Sequence, residues 1–202
     1  MPDGAARIVG VLLAAGRGER FDPDGTRLKL LEPAVQGPHS GEPLAVASAR
    51  TLCSGVHHVV AVVAPATNEQ QQRLHDLLRA EGCVLAINSR PSSGQGSSIV
   101  CGIEAATPAD GWLIALADMP AIAPATVHAL VQALQVGAVT AAPVFRGQRG
   151  HPVAFARSLG SSLMALTGDV GARAVLLEHP PRLIEVADPG VLYDVDTPED
   201  AQ

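Results

Sequence analysis

Ile8-Val9-Gly10-Val11-Leu12-Leu13-Ala14-Ala15-Gly16-Arg17-Gly18-Glu19-Arg20 decides the fold. Ile8–Ala14 is an apolar run that reads as a buried strand, and it passes straight into a glycine-bearing basic loop. Such a loop brings backbone N–H groups, Arg20 and the downstream Lys29 towards one point, which suits a polyphosphate. A second stretch, Leu116-Ala117-Asp118-Met119-Pro120, ends another apolar run on a lone acid. A carboxylate at the end of a neighbouring strand suits the Mg²⁺ that accompanies a polyphosphate.

Outward from these two stretches, runs rich in Val, Ile and Leu alternate with helix-period segments. Strands are expected at Ile8–Ala14, His58–Val63, Val84–Asn88, Trp112–Ala117 and Val139–Val144. Helices are expected at Pro43–Leu52, Asn68–Glu81, Ser97–Ala106 and Pro124–Leu134. The alternation predicts βαβ crossovers and an α/β fold with a mainly parallel sheet. Ligands of such sheets bind beyond the carboxyl ends of the strands, where Gly16, Asn88 and Asp118 all fall. After about Phe145 the pattern changes. His151–Ala156 and Leu183–Val186 read as short strands and Val170–Glu178 as a helix, while Thr197-Pro198 reads as a helix N-cap and first turn. No linker divides the chain, so residues 1–202 are expected to form a single domain.

Bulk properties narrow the partners. A net charge of −6, with no stretch interleaving basic and aromatic residues, argues against nucleic acid. No apolar run approaches the roughly 20 residues of a membrane helix. The run at Ile8–Ala15 lacks a basic leader and is followed at once by charges, so it reads as a strand and not an export signal. Cys53, Cys83 and Cys101 are odd in number and have no C-x-x-C spacing, which fits buried thiols in a reducing cytoplasm.

The loop at Gly16 is neither of two familiar phosphate loops. A dinucleotide-binding G-x-G-x-x-G would need a small residue where Phe21 stands, and no Gly-Lys-Ser/Thr exists for a P-loop. What remains is L-A-A-G-x-x-x-R with a later Lys-Leu-Leu. The alternative is a plain strand-end turn with solvated Arg20 and Lys29. Asp118 is either a metal ligand or a helix cap. Asp194 and Asp196 lie on one face of an extended segment, as a second ligand or as turn acids. Arg90–Ser98 is a polar, glycine-rich loop suited to a base or ribose, or simply a flexible connection. The nucleophile-elbow pattern fails at Ser97 and Ser98, because position 99 or 100 would have to be glycine, which argues against a serine hydrolase. Arg149 and His151 are placed to meet an anionic second substrate, with His151 alternatively a structural turn residue.

In this order, from about Val11 to Asp200, the motifs resemble the nucleotidyltransferase family that includes the molybdenum cofactor cytidylyltransferases and guanylyltransferases. The resemblance implies a three-layer, Rossmann-like nucleotidyltransferase fold. It implies that Leu13, Ala14, Ala15, Gly16 and Gly18, with Arg20 and Lys29, hold a nucleoside triphosphate. Gly94 and Ser98 match a G-x-x-x-S that lies by the base, with Asn88 nearby. Asp118 matches a magnesium-binding aspartate, and Asp196 is the better match for a second ligand. Gly150-His151-Pro152 and Gly168-Asp169-x-Gly171-Ala172-Arg173 look like segments of the cytidylyl branch, which Ala15 also favours.

The implied reaction is Mg²⁺-dependent transfer of a nucleoside monophosphate, from CTP by preference, to the phosphate of molybdopterin, with a molybdoenzyme as eventual recipient and a cytoplasmic setting. The chain departs from the family pattern at Arg20-Phe21-Asp22, after which the inserted Asp22–Arg27 lengthens the approach to Lys29. Such spacing also occurs in sugar-phosphate nucleotidyltransferases, so a sugar or alditol phosphate stays open as acceptor. A non-catalytic carrier of nucleotide or cofactor is the reading outside enzymes.

Overall fold

The structure is a computed structural model that describes residues 6–16, 18, 21–22, 27–168 and 171–201. β1 (Ile8–Ala14) lies mid-sheet, between β2 (His58–Val63) and β4 (Gly111–Leu116), and is parallel to both. β3 (Val84–Ile87) extends the parallel ladder beyond β2. With β5 (Thr140–Phe145), β6 (Gln148–Arg149) and β7 (Val153–Ala156), the order is β3-β2-β1-β4-β7-β5-β6, and β8 (Arg182–Glu185) pairs with β5. The sheet is mainly parallel, as expected, but β7 runs antiparallel to both β4 and β5.

Helices cover both faces, giving three layers. α1 (Leu44–Cys53), α2 (Glu69–Ala80) and α4 (Pro124–Gln135) bury Leu52, Leu74, Leu78 and Leu130 with Ile8 and Leu12 of β1. α3 (Gln95–Ala105), α5 (Gly160–Met164) and α6 (Arg173–Glu178) bury Ile99, Ile103, Leu163 and Val175 with Val9 and Val11. Alternate β1 residues thus feed two separate cores, which is why its sequence is apolar throughout. Gly10 is needed on the first face: a Cβ there would stand 2.8 Å from the Leu52 side chain.

Several boundaries differ from the sequence reading. β7, fifth in position along the sheet, starts at Val153 and not His151, because the His151 N–H turns away to the Val191 carbonyl (3.0 Å) and Pro152 has no N–H to offer. α6 starts at Arg173 and not Val170; Gly171 and Ala172 precede it as a turn, and Asp169 and Val170 lie outside the described residues. Pro198–Ala201 is a 3-10 turn in which Thr197 donates from both N and Oγ1 to the Asp200 carboxylate (2.8 and 2.9 Å), the reverse of the expected Thr cap. The cysteines are free; Cys83 is buried, but Cys53 and Cys101 are half-buried. No helix among the described residues is long and apolar enough to cross a membrane.

Candidate active site

β1 and β4 pair in register up to Leu13 opposite Leu116, so their carboxyl ends deliver Ala15-Gly16 and Asp118 side by side. Ala14 and Ala15 are buried and Gly16 is exposed. Gly18 adopts φ +64°, the left-handed region that favours glycine, and its carbonyl accepts from the N–H groups of Phe21 and Asp22. A Cβ on Gly18 would sit 3.3 Å from Cβ of Lys29. The lysine therefore returns to the loop despite the inserted residues. Arg20 lies outside the described residues, as do Asp24 and Thr26 of the insertion.

Lys29 heads a short 3-10 turn, Lys29–Leu31, and is only 9% exposed. Its Nζ lies 2.7 Å from Oδ2 of Asp118 and 3.7 Å from Oδ1 of Asp196. Two carboxylates from distant parts of the chain converge on one buried ammonium. The Asp118 carbonyl accepts from the Val195 N–H (3.0 Å), which ties the tail to the end of β4. Val195 is buried, so the flanking Asp194 and Asp196 point the other way; Asp194 is exposed and Asp196 half-buried beside Lys29. Ser48 of α1 donates to the Ala117 carbonyl (3.1 Å) and braces the same strand end. Nothing in the sequence singled Ser48 out, because a serine within an apolar helix face reads as filler.

On the neighbouring side, Asn88 leaves the end of β3 with its side chain almost fully buried. Its Nδ2 donates to Oγ of Ser97 (3.0 Å) and of Ser98 (3.1 Å), and its Oδ1 accepts from the Arg90 N–H. Asn88 thereby sets the start of α3, where Gly94, at φ +91°, precedes the first turn. Ser97 Oγ donates towards the Gly94 carbonyl (2.8 Å). Asn88, Gly94 and Ser98 are brought together, with Asn88 acting through the two serines.

Across β4 lies a cavity of about 190 Å³. Leu13, Ile99, Leu116 and Phe155 are among the apolar residues of its wall, and Gln95, Arg149, His151 and Arg173 supply polar groups. Arg149 stands on β6, which a turn with positive φ at Arg146 (51°) and Gly147 (79°) folds back onto β5. Burial pushes the His151 imidazole below the usual histidine range; Arg149 adds to this, and Asp118 and Asp194 partly offset it. Its Nδ1 is buried without a hydrogen-bond partner. Leu13, expected beside the nucleotide, also borders this second cavity. Gln95 and Arg173 were not expected there, because only the approach of the Gly171 turn, just before α6, to Gln95 of α3 brings them in.

Among the described residues no group of three or more His, Cys, Asp or Glu side chains forms a metal cage. Mg²⁺ does not need one: it keeps several waters and takes one or two carboxylates plus substrate phosphate. Asp118 and Asp196 suit that donor set.

The chain is similar to several known proteins. Over 203 residues the chain is 32% identical to the nicotine blue oxidoreductase of Paenarthrobacter nicotinovorans, covering 95% of this chain and 93% of that protein. It is 29% identical to the purine catabolism protein PucB of Bacillus subtilis, over 96% of this chain and 93% of that protein. Among solved structures, the manganese complex of Rv0371c from Mycobacterium tuberculosis shares the fold, with a TM-score of 0.74 and 23% identity over 96% of this chain and 95% of that one. Residues 10–183, which take in the Gly16 loop, Lys29, Asp118 and both cavity arginines, match the model of the MobA-like NTP transferase domain, and the chain belongs to that family.

Proposed function

We propose that the chain transfers a nucleoside monophosphate, from CTP by preference, to the phosphate of molybdopterin, releasing pyrophosphate. The observation that carries this reading is the meeting of Asp118, Asp196 and Lys29 at the ends of two parallel strands, at 2.7 and 3.7 Å. Asp118 and Asp196 would hold Mg²⁺, which would offset phosphate charge and orient the reacting groups. An oxygen of the acceptor phosphate attacks the α-phosphorus as the bond to the β-phosphate oxygen breaks. That phosphate is ionised near neutral pH, so the site needs no general base, and a histidine held neutral by burial fits its architecture. Lys29, Arg20 and the amides around Gly16 and Gly18 stabilise the departing pyrophosphate. The cavity bounded by Arg149, His151 and Arg173 supplies an apolar wall for the acceptor body and cations for its charge.

The test is pyrophosphate release with Mg²⁺, comparing CTP, GTP, ATP and UTP with molybdopterin, and then with sugar and alditol phosphates. Release requiring CTP and the pterin is the expected result. Asp118→Asn should lower the rate by about a hundredfold or more, with the fold checked by circular dichroism. Release only with a sugar phosphate would replace the acceptor, and nucleotide binding without release from any acceptor would leave a carrier.

The relative named as an oxidoreductase favours a second reading, in which the cleft holds a nucleotide-bearing redox cofactor in place of a triphosphate. Oxidation of NADH by the chain in the presence of a reducible heterocycle, with no pyrophosphate released from any triphosphate, would establish it over the first.

A further inference from the structure

Asp188 belongs to none of the motifs, yet among the described residues it is the one buried acid, only 7% exposed. Its Oδ2 accepts from Oγ1 of Thr126 (2.6 Å) and from the Ala123 N–H (2.8 Å), and its Oδ1 accepts from the Gly190 N–H (3.0 Å). Ala123 is the N-cap position of α4 and has no side-chain cap of its own. From 65 residues away Asp188 holds the N–H of that N-cap residue, while also capping the 3-10 turn Pro189–Leu192 that follows it.

The tethered turn is wedged between two walls of the cleft. A Cβ on Gly190 would stand 2.1 Å from the Ala121 carbonyl oxygen, in the loop that leaves Asp118. On the other side, a Cβ on Gly150 would stand 2.1 Å from the Val191 carbonyl oxygen, which itself accepts from the His151 N–H (3.0 Å). These are backbone-on-backbone contacts, so no rotamer change absorbs a shift of the turn. The same strand of chain then reaches Val195, bonded to the Asp118 carbonyl, and Asp196 beside Lys29.

We infer that Asp188 is a positioning residue: by tying the Pro189–Leu192 turn to the start of α4, it sets the spacing of Asp118, Asp196 and His151. The inference rests on the proposed transferase site for its kinetic readout, but its structural readout does not.

The experiment compares wild type, Asp188→Asn and the milder Thr126→Val, which removes one donor. In pyrophosphate release, Asp188→Asn should raise the Mg²⁺ concentration at half-maximal rate and the acceptor KM by about tenfold, as changes behind a metal's ligands do. The KM for the nucleotide should stay within about twofold, because the close backbone contacts of the turn lie at Gly150 and Ala121. In amide hydrogen exchange followed by mass spectrometry, peptides spanning 118–123, 150–152 and 190–196 should exchange roughly tenfold faster, with β1 and β2 unchanged.

Acceleration confined to 123–126 and 188–190, with metal dependence unchanged, would reduce Asp188 to a local cap and overturn the inference. A uniform fall in rate with exchange faster throughout would overturn it too. Should wild type release no pyrophosphate, the transferase reading fails while the exchange pattern still decides this one. Should Asp188→Asn not fold, Thr126→Val must show the same pattern at smaller amplitude, and its absence there refutes the positioning role.

Discussion

The two halves of the sheet solve the same problem differently. From β3 to β4 every strand is parallel, every connection passes through a helix, and the cleft residues sit at strand ends. From β7 to β6 the pairing is antiparallel, the strands are short, and the cleft residues sit on a hairpin, a turn and the tail. In the first half, the close approaches inside the layers, at Gly10 of β1 and Gly102 of α3, are to side chains. In the second, backbone crosses backbone at Gly150 and Gly190. One half tolerates adjustment where the other does not, which suits a common loop for one substrate facing a tightly set wall for another.

Adding one methyl group to each half tests this contrast most severely. In Gly150→Ala the new Cβ would meet the Val191 carbonyl oxygen at 2.1 Å, and the only relief is movement of the turn. We expect a loss of about 4 kcal/mol or more, read from urea denaturation, or no folded protein. Gly102→Ala on α3 would meet Cγ1 of Val11 at 2.4 Å and Cγ2 of Val62 at 2.8 Å. Those are side-chain ends that move with small helix shifts, so the cost should be about 1–3 kcal/mol. Equal losses at the two sites would erase the distinction between the halves.

The pH dependence supplies a smaller effect that belongs to the second half. His151 has its pKa lowered by burial, with Arg149 in support, so the unfolded chain takes up a proton before the folded one does. Its contribution is complete above about pH 6.5 and is lost as pH falls through that value towards the folded pKa, below which it levels off. His58 is lowered in the same direction, chiefly by burial, so the total slope mixes the two. Subtracting the urea-stability profile of His151→Gln isolates the cavity histidine. A difference that stays flat between pH 7 and 5 would show that the imidazole is not held neutral.

The same contrast explains what could be read in the sequence. β1 and β2 match their expected ranges to the residue, because strands buried on both faces leave a continuous apolar run that nothing else in a small domain produces. The residues just past the ends of β1, β3 and β4 follow from topology alone, which is why Gly16, Asn88 and Asp118 were legible. The second half is built from polar atoms reaching across the chain. The hairpin of β6 depends on a positive φ at Arg146, a residue with no turn signature. The start of β7 depends on the carbonyl of Val191, and the cap of α4 on Asp188. No local period records such pairings. Asp196 beside Lys29 was legible only through its resemblance to a family motif, since 167 residues of chain separate the two and no spacing rule joins them.

The smallest expected effect lies in the first half, at the N-terminus of α2. Asn68 Oδ1 accepts from the Gln71 N–H (2.9 Å), satisfying one free donor of the first turn, while Gln71 Oε1 reaches back to accept from N and Oγ1 of Thr67, the residue before the cap (both 2.8 Å). Asn68→Ala should cost about 1 kcal/mol and lower Tm by about 2–4 °C in a domain of this size. α2 packs its Leu74 and Leu78 into the core and lies beside the Lys29–Leu31 turn, whose Leu30 belongs to the same core. If the parallel half absorbs small shifts by side-chain adjustment, kcat/KM should be unchanged at temperatures where the variant is fully folded. A fall in kcat/KM beyond the loss of folded protein would mean that the fraying reaches Lys29, and the nucleotide side would then be as rigidly coupled as the wall around His151.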